Sequence, residues 1–354
     1  TLVFLRPLGL RLCVHPISHE EVILMPKVGL VGPYSPAMKE AFYDSLPQDY
    51  EAVEVTATDD YKNLADVDYI INRTLPIDET LLSICPKLKF IAKYAVGFDN
   101  IDVAAAAQRN IPVTNCKGFN SDSVAELTVA LMIDSCRNLY PMYLGLREDN
   151  WMQDKFVNTS LTLRGQTVGI IGLGSVGSRV AKLLNAFGSK VVYYDVVRRS
   201  EQEENELNVS FLELNDLLAV SDIVTLHCPG SAKNEHLINR ETLALMKPTA
   251  ILINCSRGSV VDEEALYEAL SARKLDRAAL DVFETEPPVG SELLALPNVI
   301  ASPHVGGTTR GLGAGMIRLC MQFILDFAGH KPIPVQNVVN YTILNDPAIL
   351  EVME

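Results

Sequence analysis

Apolar positions along this chain fall into two successive series of short runs rather than one continuous periodicity. In the first, KVGLVG (27–32), AVEVT (52–56), DYIIN (68–72), LKFIAK (88–93) and IPVT (111–114) predict strands. AMKEAFYDSL (37–46), IDETLLSI (77–84) and IDVAAAAQRN (101–110) predict helices between them. Strands alternating with helices imply a parallel sheet covered on both faces, and five strands suit a flavodoxin-like domain. A longer helix is predicted over about Ser121–Leu146, with Ser121 or Asp122 as its cap. Its apolar positions run nearly all round, the mark of a buried or interface helix. NWMQDKFVNTSLTLRG then reads as a loop carrying the only tryptophan, Trp151.

The second series starts at Gln166. TVGIIG, KVVYYD, DIVTLHC, TAILINC, RAALDV and NVIASPH predict strands, with helices such as Val176–Phe187 and Glu263–Ala272 between them. A final helix is expected over about Thr308–Ala328. The tail after it is too short for another domain. At the other end, Arg6, Pro7 and Arg11 interrupt the apolar patches of residues 1–26, so no secretory signal is legible. The domain proper is expected to begin near Met25, with residues 1–24 an appended leader. His15 and His19 lie four apart but have no other ligand type beside them, and no metal site is expected.

With 354 residues, two domains are favoured over one. An apolar content of 48% excludes disorder for the bulk of the chain, and no run is long enough to span a membrane. The net charge of -14 argues against non-specific binding to nucleic acid or anionic lipid. It leaves small anionic substrates open, because a few local cations outweigh the global field inside a cleft. Seven scattered cysteines without a C-x-x-C fit neither a disulfide framework nor a zinc site; reduced thiols in a cytoplasmic protein are the plain reading.

Gly172-Leu-Gly174-Ser175-Val176-Gly177 is G-x-G-x-x-G, a weak pattern alone. Here it follows a predicted strand and opens a predicted helix, as pyrophosphate binding requires. Asp195 ends the next strand, where an acid hydrogen-bonds the adenosine ribose and repels the extra phosphate of NADP. NAD is therefore expected over NADP, with Arg198 and Arg199 close enough to soften the preference.

Ligands of open α/β sheets bind beyond the carboxyl ends of the strands. Arg257, Glu286 and His304 fall at or just beyond three predicted strand ends. Singly, each reads as readily as a surface ion pair or a loop histidine. Together they form a complete set for a 2-hydroxy/2-keto acid. Arg257 holds the carboxylate and polarises the carbonyl. His304 exchanges a proton with the C2 oxygen, and Glu286 orients the imidazole. A Ser/Cys hydrolase is disfavoured: no G-x-S-x-G is present, and His227 and Cys228 are adjacent on a strand, facing opposite ways.

GLGSVG with Asp195, NCSRGSVVDEEAL, ALDVFETEPP and SPHVGG, with AVGFDNID and NSDSVAE upstream, resemble the D-isomer-specific 2-hydroxyacid dehydrogenase family. The resemblance covers nearly everything from Met25 to Asn340. It implies two doubly wound parallel-sheet domains: a discontinuous flavodoxin-like substrate domain (1–117 and 307–354) and an inserted Rossmann NAD-binding domain (118–306). It implies Arg257, Glu286 and His304 as the catalytic set, with Glu284 the decoy. The expected cofactor site is Gly172, Gly174, Ser175, Val176, Gly177, Asp195, Cys228, Pro229, Cys255, Ser256, Arg257, Asp281, His304 and Gly306. The expected substrate site is Arg73, Lys93, Val96, Gly97 and Arg257. A homodimer using the helix near Ser121–Leu146 is also implied. The substrate stays open: the reading leans to hydroxypyruvate or glyoxylate, with 3-phosphoglycerate dehydrogenase the nearest rival. That rival wants additional cations, and the chain lacks length for the C-terminal regulatory domain some such enzymes carry. An NAD-sensing, corepressor-like protein on the same fold is the alternative of another class.

Overall fold

The computed structural model describes residues 25–351, so the expected leader, with His15 and His19, lies outside the described residues. The first series folds as β1 (Lys27–Val31), β2 (Glu51–Val55), β3 (Tyr69–Asn72), β4 (Phe90–Lys93) and β5 (Val113–Asn115). Their order is β2-β1-β3-β4-β5, every pairing parallel, which is the flavodoxin-like order. Successive side chains feed opposite faces: Leu30 and Ile71 join one hydrophobic cluster, Val31 and Ile70 the other. Helices α1 (Pro36–Ser45), α2 (Glu79–Ile84) and α3 (Val103–Gln108) lie between the strands. Asp78 caps α2 and Asp102 caps α3 through backbone N–H groups that would otherwise be orphaned.

The expected long helix is two: α4 (Ser121–Arg137) and α5 (Leu139–Arg147). The break is Asn138, in the left-handed region at φ 53°. Pro141 explains why no continuous helix forms there, since its ring would clash with the carbonyl of Arg137. The cap of α4 is Asn120, not Ser121 or Asp122; Asp122 instead pairs with Arg179.

The second series supplies β6 (Thr167–Ile171), β7 (Lys190–Tyr194), β8 (Ser210–Phe211), β9 (Ile223–Leu226), β10 (Ile251–Asn254), β11 (Arg277–Leu280) and β12 (Val299–Ala301). Their order, β12-β11-β10-β9-β6-β7-β8, reverses direction between β6 and β9. That reversal is the switch point at which such sheets bind ligands. α6 (Ser175–Phe187), α7 (Glu201–Leu207), α8 (Leu214–Val220), α9 (Arg240–Leu243) and α10 (Glu263–Ser271) connect the strands. α7 opens on a Ser200–Glu203 capping box, a signal legible in S-x-x-E.

α11 (Leu312–Ala328) starts later than expected, because Gly311 holds the left-handed region at φ 82°. It returns to the first sheet. Met316, Ile317, Cys320, Met321, Phe323 and Ile324 are buried against the face that carries Phe90 and Ala92. Full burial of an aliphatic or aromatic side chain contributes about 1.5–3 kcal/mol, ample to hold a helix rejoined across a long insertion. Asn340 then bonds the Val113 amide at 2.9 Å and the Ile111 carbonyl at 2.9 Å, sealing the tail against β5. α4 packs instead on the second sheet, through Ala125, Val129 and Met132. The chain thus crosses between the sheets twice, just before α4 and just before α11.

Candidate active site

The glycine turn sits at the switch point. Gly172 adopts φ 94°, and a Cβ there would lie 2.7 Å from the Cys228 amide nitrogen. A Cβ on Gly177 would lie 2.2 Å from the Gly172 carbonyl oxygen. Gly174 is different: nothing lies within 4 Å of the Cβ position, so its backbone faces open space. Ser175 and Val176 begin α6, and no side chain caps their amides. A tight turn, an open approach and uncapped helix N–H groups are what a dinucleotide pyrophosphate needs, so these residues fit the cofactor. Asp195 follows β7 and accepts the Leu173 amide at 2.8 Å. Arg198 does not face the cofactor turn. It donates to both Glu204 oxygens at 2.8 and 2.9 Å, and with Tyr193 it holds that carboxyl at about 2. Arg199 donates to the Leu173 carbonyl at 2.7 Å.

Cys228 and Pro229 follow β9, and Cys255, Ser256 and Arg257 follow β10, all at carboxyl ends. Asp281 follows β11 and is buried, and its carboxylate organises the next loop. It accepts the Ser302 hydroxyl at 2.6 Å, the Val305 amide at 2.9 Å and the Gly306 amide at 2.8 Å. Its backbone carbonyl takes the His304 amide at 2.8 Å. His304 is thereby fixed at φ 51° beyond β12.

His304 Nδ1 lies 2.7 Å from Glu286 Oε2, and the Phe283 amide donates to Glu286 Oε1 at 3.1 Å. A carboxylate held on both oxygens selects the tautomer with the proton on Nδ1 and leaves Nε2 toward the cleft. Glu284 takes a different imidazole, that of His236. Arg257 reaches across to the first sheet, where its Nε is 3.5 Å from Asp99 Oδ2. A Cβ on Gly97 would lie 1.9 Å from the Arg257 guanidinium, so a larger residue there would push that side chain out of its place. Sequence reasoning missed the Asp99 partner; its signal was the acid inside AVGFDN.

Among the described residues, the amides of Val96 and Gly97 meet no acceptor, and the Val96 carbonyl is anchored by Asn115 at 2.6 Å. Arg257 therefore stands beside Gly97, whose amide is free, and Asp99 Oδ2 approaches the same spot. Lys93, expected in the substrate site, is buried. Asn72, Asn100 and the Arg73 carbonyl take all three ammonium donors, and burial brings its pKa down to about 8. Arg73 is half-buried, bonds the Pro33 carbonyl, and lies 6.0 Å from the ring centres of Tyr34 and Tyr94.

Residues 129–306 match the family described as the D-isomer specific 2-hydroxyacid dehydrogenase, NAD binding domain. The chain is 40% identical over 273 residues to the glyoxylate reductase of Thermococcus litoralis, covering 76% of this chain and 82% of that one. The chain belongs to the D-isomer-specific 2-hydroxyacid dehydrogenase family. It is also 40% identical over 260 residues to the D-3-phosphoglycerate dehydrogenase of Methanocaldococcus jannaschii, covering 73% of this chain but only 49% of that relative. A D-lactate dehydrogenase from Aquifex aeolicus, solved with NAD and lactic acid, matches at TM-score 0.75 and 32% identity. That match covers 86% of this chain and 95% of the solved one.

This D-2-hydroxyacid dehydrogenase is thus an oxidoreductase that moves a hydride between NAD(P)(H) and a 2-hydroxy/2-keto acid couple. Burial raises the thiol pKa of Cys228 to about 11 and that of Cys255 to about 12, which disfavours the thiolate at both strand ends. His227 bonds Thr225 at 3.0 Å, and burial takes its pKa down to about 3, so it stays neutral. Among the described residues no helix is long and apolar enough to cross a membrane, and no cluster of His, Cys, Asp or Glu is arranged for a metal.

Proposed function

We propose that Arg257, Glu286 and His304 are the catalytic set and that the substrate is hydroxypyruvate or glyoxylate. The observation that carries this is the His304–Glu286 contact of 2.7 Å, with Arg257 beside Gly97, whose amide and that of the preceding Val96 are free among the described residues. The substrate carboxylate binds Arg257 and those two amides, which also places its C2 carbonyl toward the His304 ring. Bound nicotinamide supplies the hydride to C2 in reduction and accepts it in oxidation. His304 Nε2 gives a proton to the carbonyl oxygen in reduction and recovers it in oxidation. Glu286 stabilises the imidazolium through Nδ1.

The similarity to a phosphoglycerate dehydrogenase supports a second reading, oxidation of 3-phosphoglycerate. A phosphate needs several free cations, and Lys93 has spent its donors, which leaves Arg73 as the single further cation of the expected substrate site. The unphosphorylated acids are therefore preferred. The deciding experiment is NADH oxidation with hydroxypyruvate, glyoxylate, pyruvate and 3-phosphohydroxypyruvate side by side. A dominant rate with 3-phosphohydroxypyruvate selects the second reading. No turnover with any of them, despite NADH binding, moves the protein to the cofactor-sensing class.

NAD is the proposed cofactor, because Asp195 stands at the ribose position and Arg198 is tied to Glu204. Asp195→Ala is expected to raise kcat/KM with NADPH relative to NADH by about tenfold or more as the charge repulsion is removed. If the variant discriminates against NADPH as strongly as the parent, Asp195 is not the selector. The cofactor lobe is taken as residues 118–306 and the substrate lobe as 25–117 with 307–351, in a cytoplasmic protein. A homodimer is supported by α5 and the following loop, where Leu139, Tyr140, Tyr143, Leu144, Leu146 and Trp151 are all exposed.

A further inference from the structure

Two carboxylates stand two positions apart on the loop after β11, and each takes its own histidine. Glu286 holds His304, and Glu284 holds His236 through its Nε2. The second pair has no place in the hydride chemistry, yet it ties the Glu286 loop to the loop after β9, which is bonded in turn to the Arg257 loop. His236 is at φ 48°, and its amide donates to the Ser259 carbonyl at 2.8 Å, two residues after Arg257. Glu284 follows Phe283, whose amide fixes Glu286 Oε1 at 3.1 Å. The Glu284 amide itself is tied to Glu263 Oε1 at 2.7 Å. Gly258 presses on the same stretch: a Cβ there would lie 1.8 Å from the Phe283 carbonyl carbon.

We infer that the His236–Glu284 pair is a brace that, with the His236–Ser259 backbone bond, holds the Arg257 loop against the Glu286 loop, so that His236 and Glu284 are positioning residues acting through Glu286. This rests on the proposed roles of Arg257, Glu286 and His304. The pair is partly solvent-exposed, with side chains 46% and 35% accessible, so it contributes little to global stability. Its effect is local: the loop of residues 283–286 has no regular secondary structure, and its few bonds decide where the Glu286 carboxylate sits.

The test combines His236→Ala, Glu284→Ala and Glu284→Gln, each in the parent and in a Glu286→Gln background. In the parent, both alanine variants are expected to lower single-turnover hydride transfer about tenfold, with KM for NADH and thermal midpoint nearly unchanged. Glu284→Gln, which still accepts from His236, is expected to retain most of the rate. In the Glu286→Gln background the alanine effects should largely vanish, since the group they position is already gone. Equal losses in both backgrounds, or none in the parent, overturn the brace. A readout independent of turnover is the His304 Nδ1–H resonance, which reports the bond to Glu286. It is expected to shift or broaden in His236→Ala, and an unchanged resonance also overturns the inference. If the parent oxidises NADH with none of the keto acids, the catalytic reading fails, while the resonance still decides whether the brace exists.

Discussion

His304→Ala is expected to lower turnover by about 10²–10⁴-fold, the usual worth of a positioned general acid–base group, and to leave the dissociation constant for NADH nearly unchanged. The physical reason is where the ring is fixed. Its backbone is tied to Asp281 at 2.8 Å and its Nδ1 to Glu286 at 2.7 Å, leaving Nε2 without a protein partner among the described residues and free for the proposed proton exchange. The cofactor turn is built from other residues, Gly172 to Gly177, and its geometry does not pass through the imidazole. Steady-state rates and fluorescence titration of NADH on the same preparation check this. A large loss of NADH affinity with little loss of rate would contradict the acid–base assignment. The side chain is half-exposed, so unfolding is not expected to obscure the result.

Gly258→Ala is expected to destabilise the protein by about 1–3 kcal/mol or more and to remove most activity in whatever folds. A methyl group has no room: its carbon would lie 1.8 Å from the Phe283 carbonyl carbon, 2.0 Å from its oxygen and 2.3 Å from the Glu284 nitrogen. These are backbone atoms, so no rotamer change relieves the clash, and either the Arg257 loop or the Glu286 loop must move. The expected signature is a lowered thermal midpoint together with a kcat loss larger than the fall in folded protein explains. Gly174→Ala is the contrast for stability, since its Cβ position is open. A parent-like midpoint and rate in Gly258→Ala would mean that the two loops are not in tight register.

Much of this was legible because it is written locally. YIIN and FIAK are apolar runs ending in one polar residue, and both became strands buried along their length, with Asn72 and Lys93 at the carboxyl ends. The glycine turn was readable because each glycine answers a backbone demand that other residues meet badly. Arg257, Glu286 and His304 could be picked out because each follows a strand, and parallel strands deliver their carboxyl ends to one side. The break at Asn138 was less visible: helical periodicity continues through it, and only the Pro141 ring limits the span. The fate of Lys93 was not visible at all. A lysine ending a strand reads as a substrate-site cation until Asn72 and Asn100 arrive from the neighbouring strand and loop.

The sequence by itself determined the strands and helices, the turn that fits a dinucleotide, and the residue types proposed for the chemistry. These depend on side-chain periodicity and backbone preference over a few positions. Only the tertiary structure decided which groups meet: Glu286 with His304, Glu284 with His236, Arg257 with Asp99, and Asp281 with the loop it holds. Those partners are separated along the chain by between 18 and 158 residues, as in His304–Glu286 and Arg257–Asp99. Sheet order and the two crossings between lobes bring them together, and side-chain pairing over such separations leaves no periodic trace in the residues themselves.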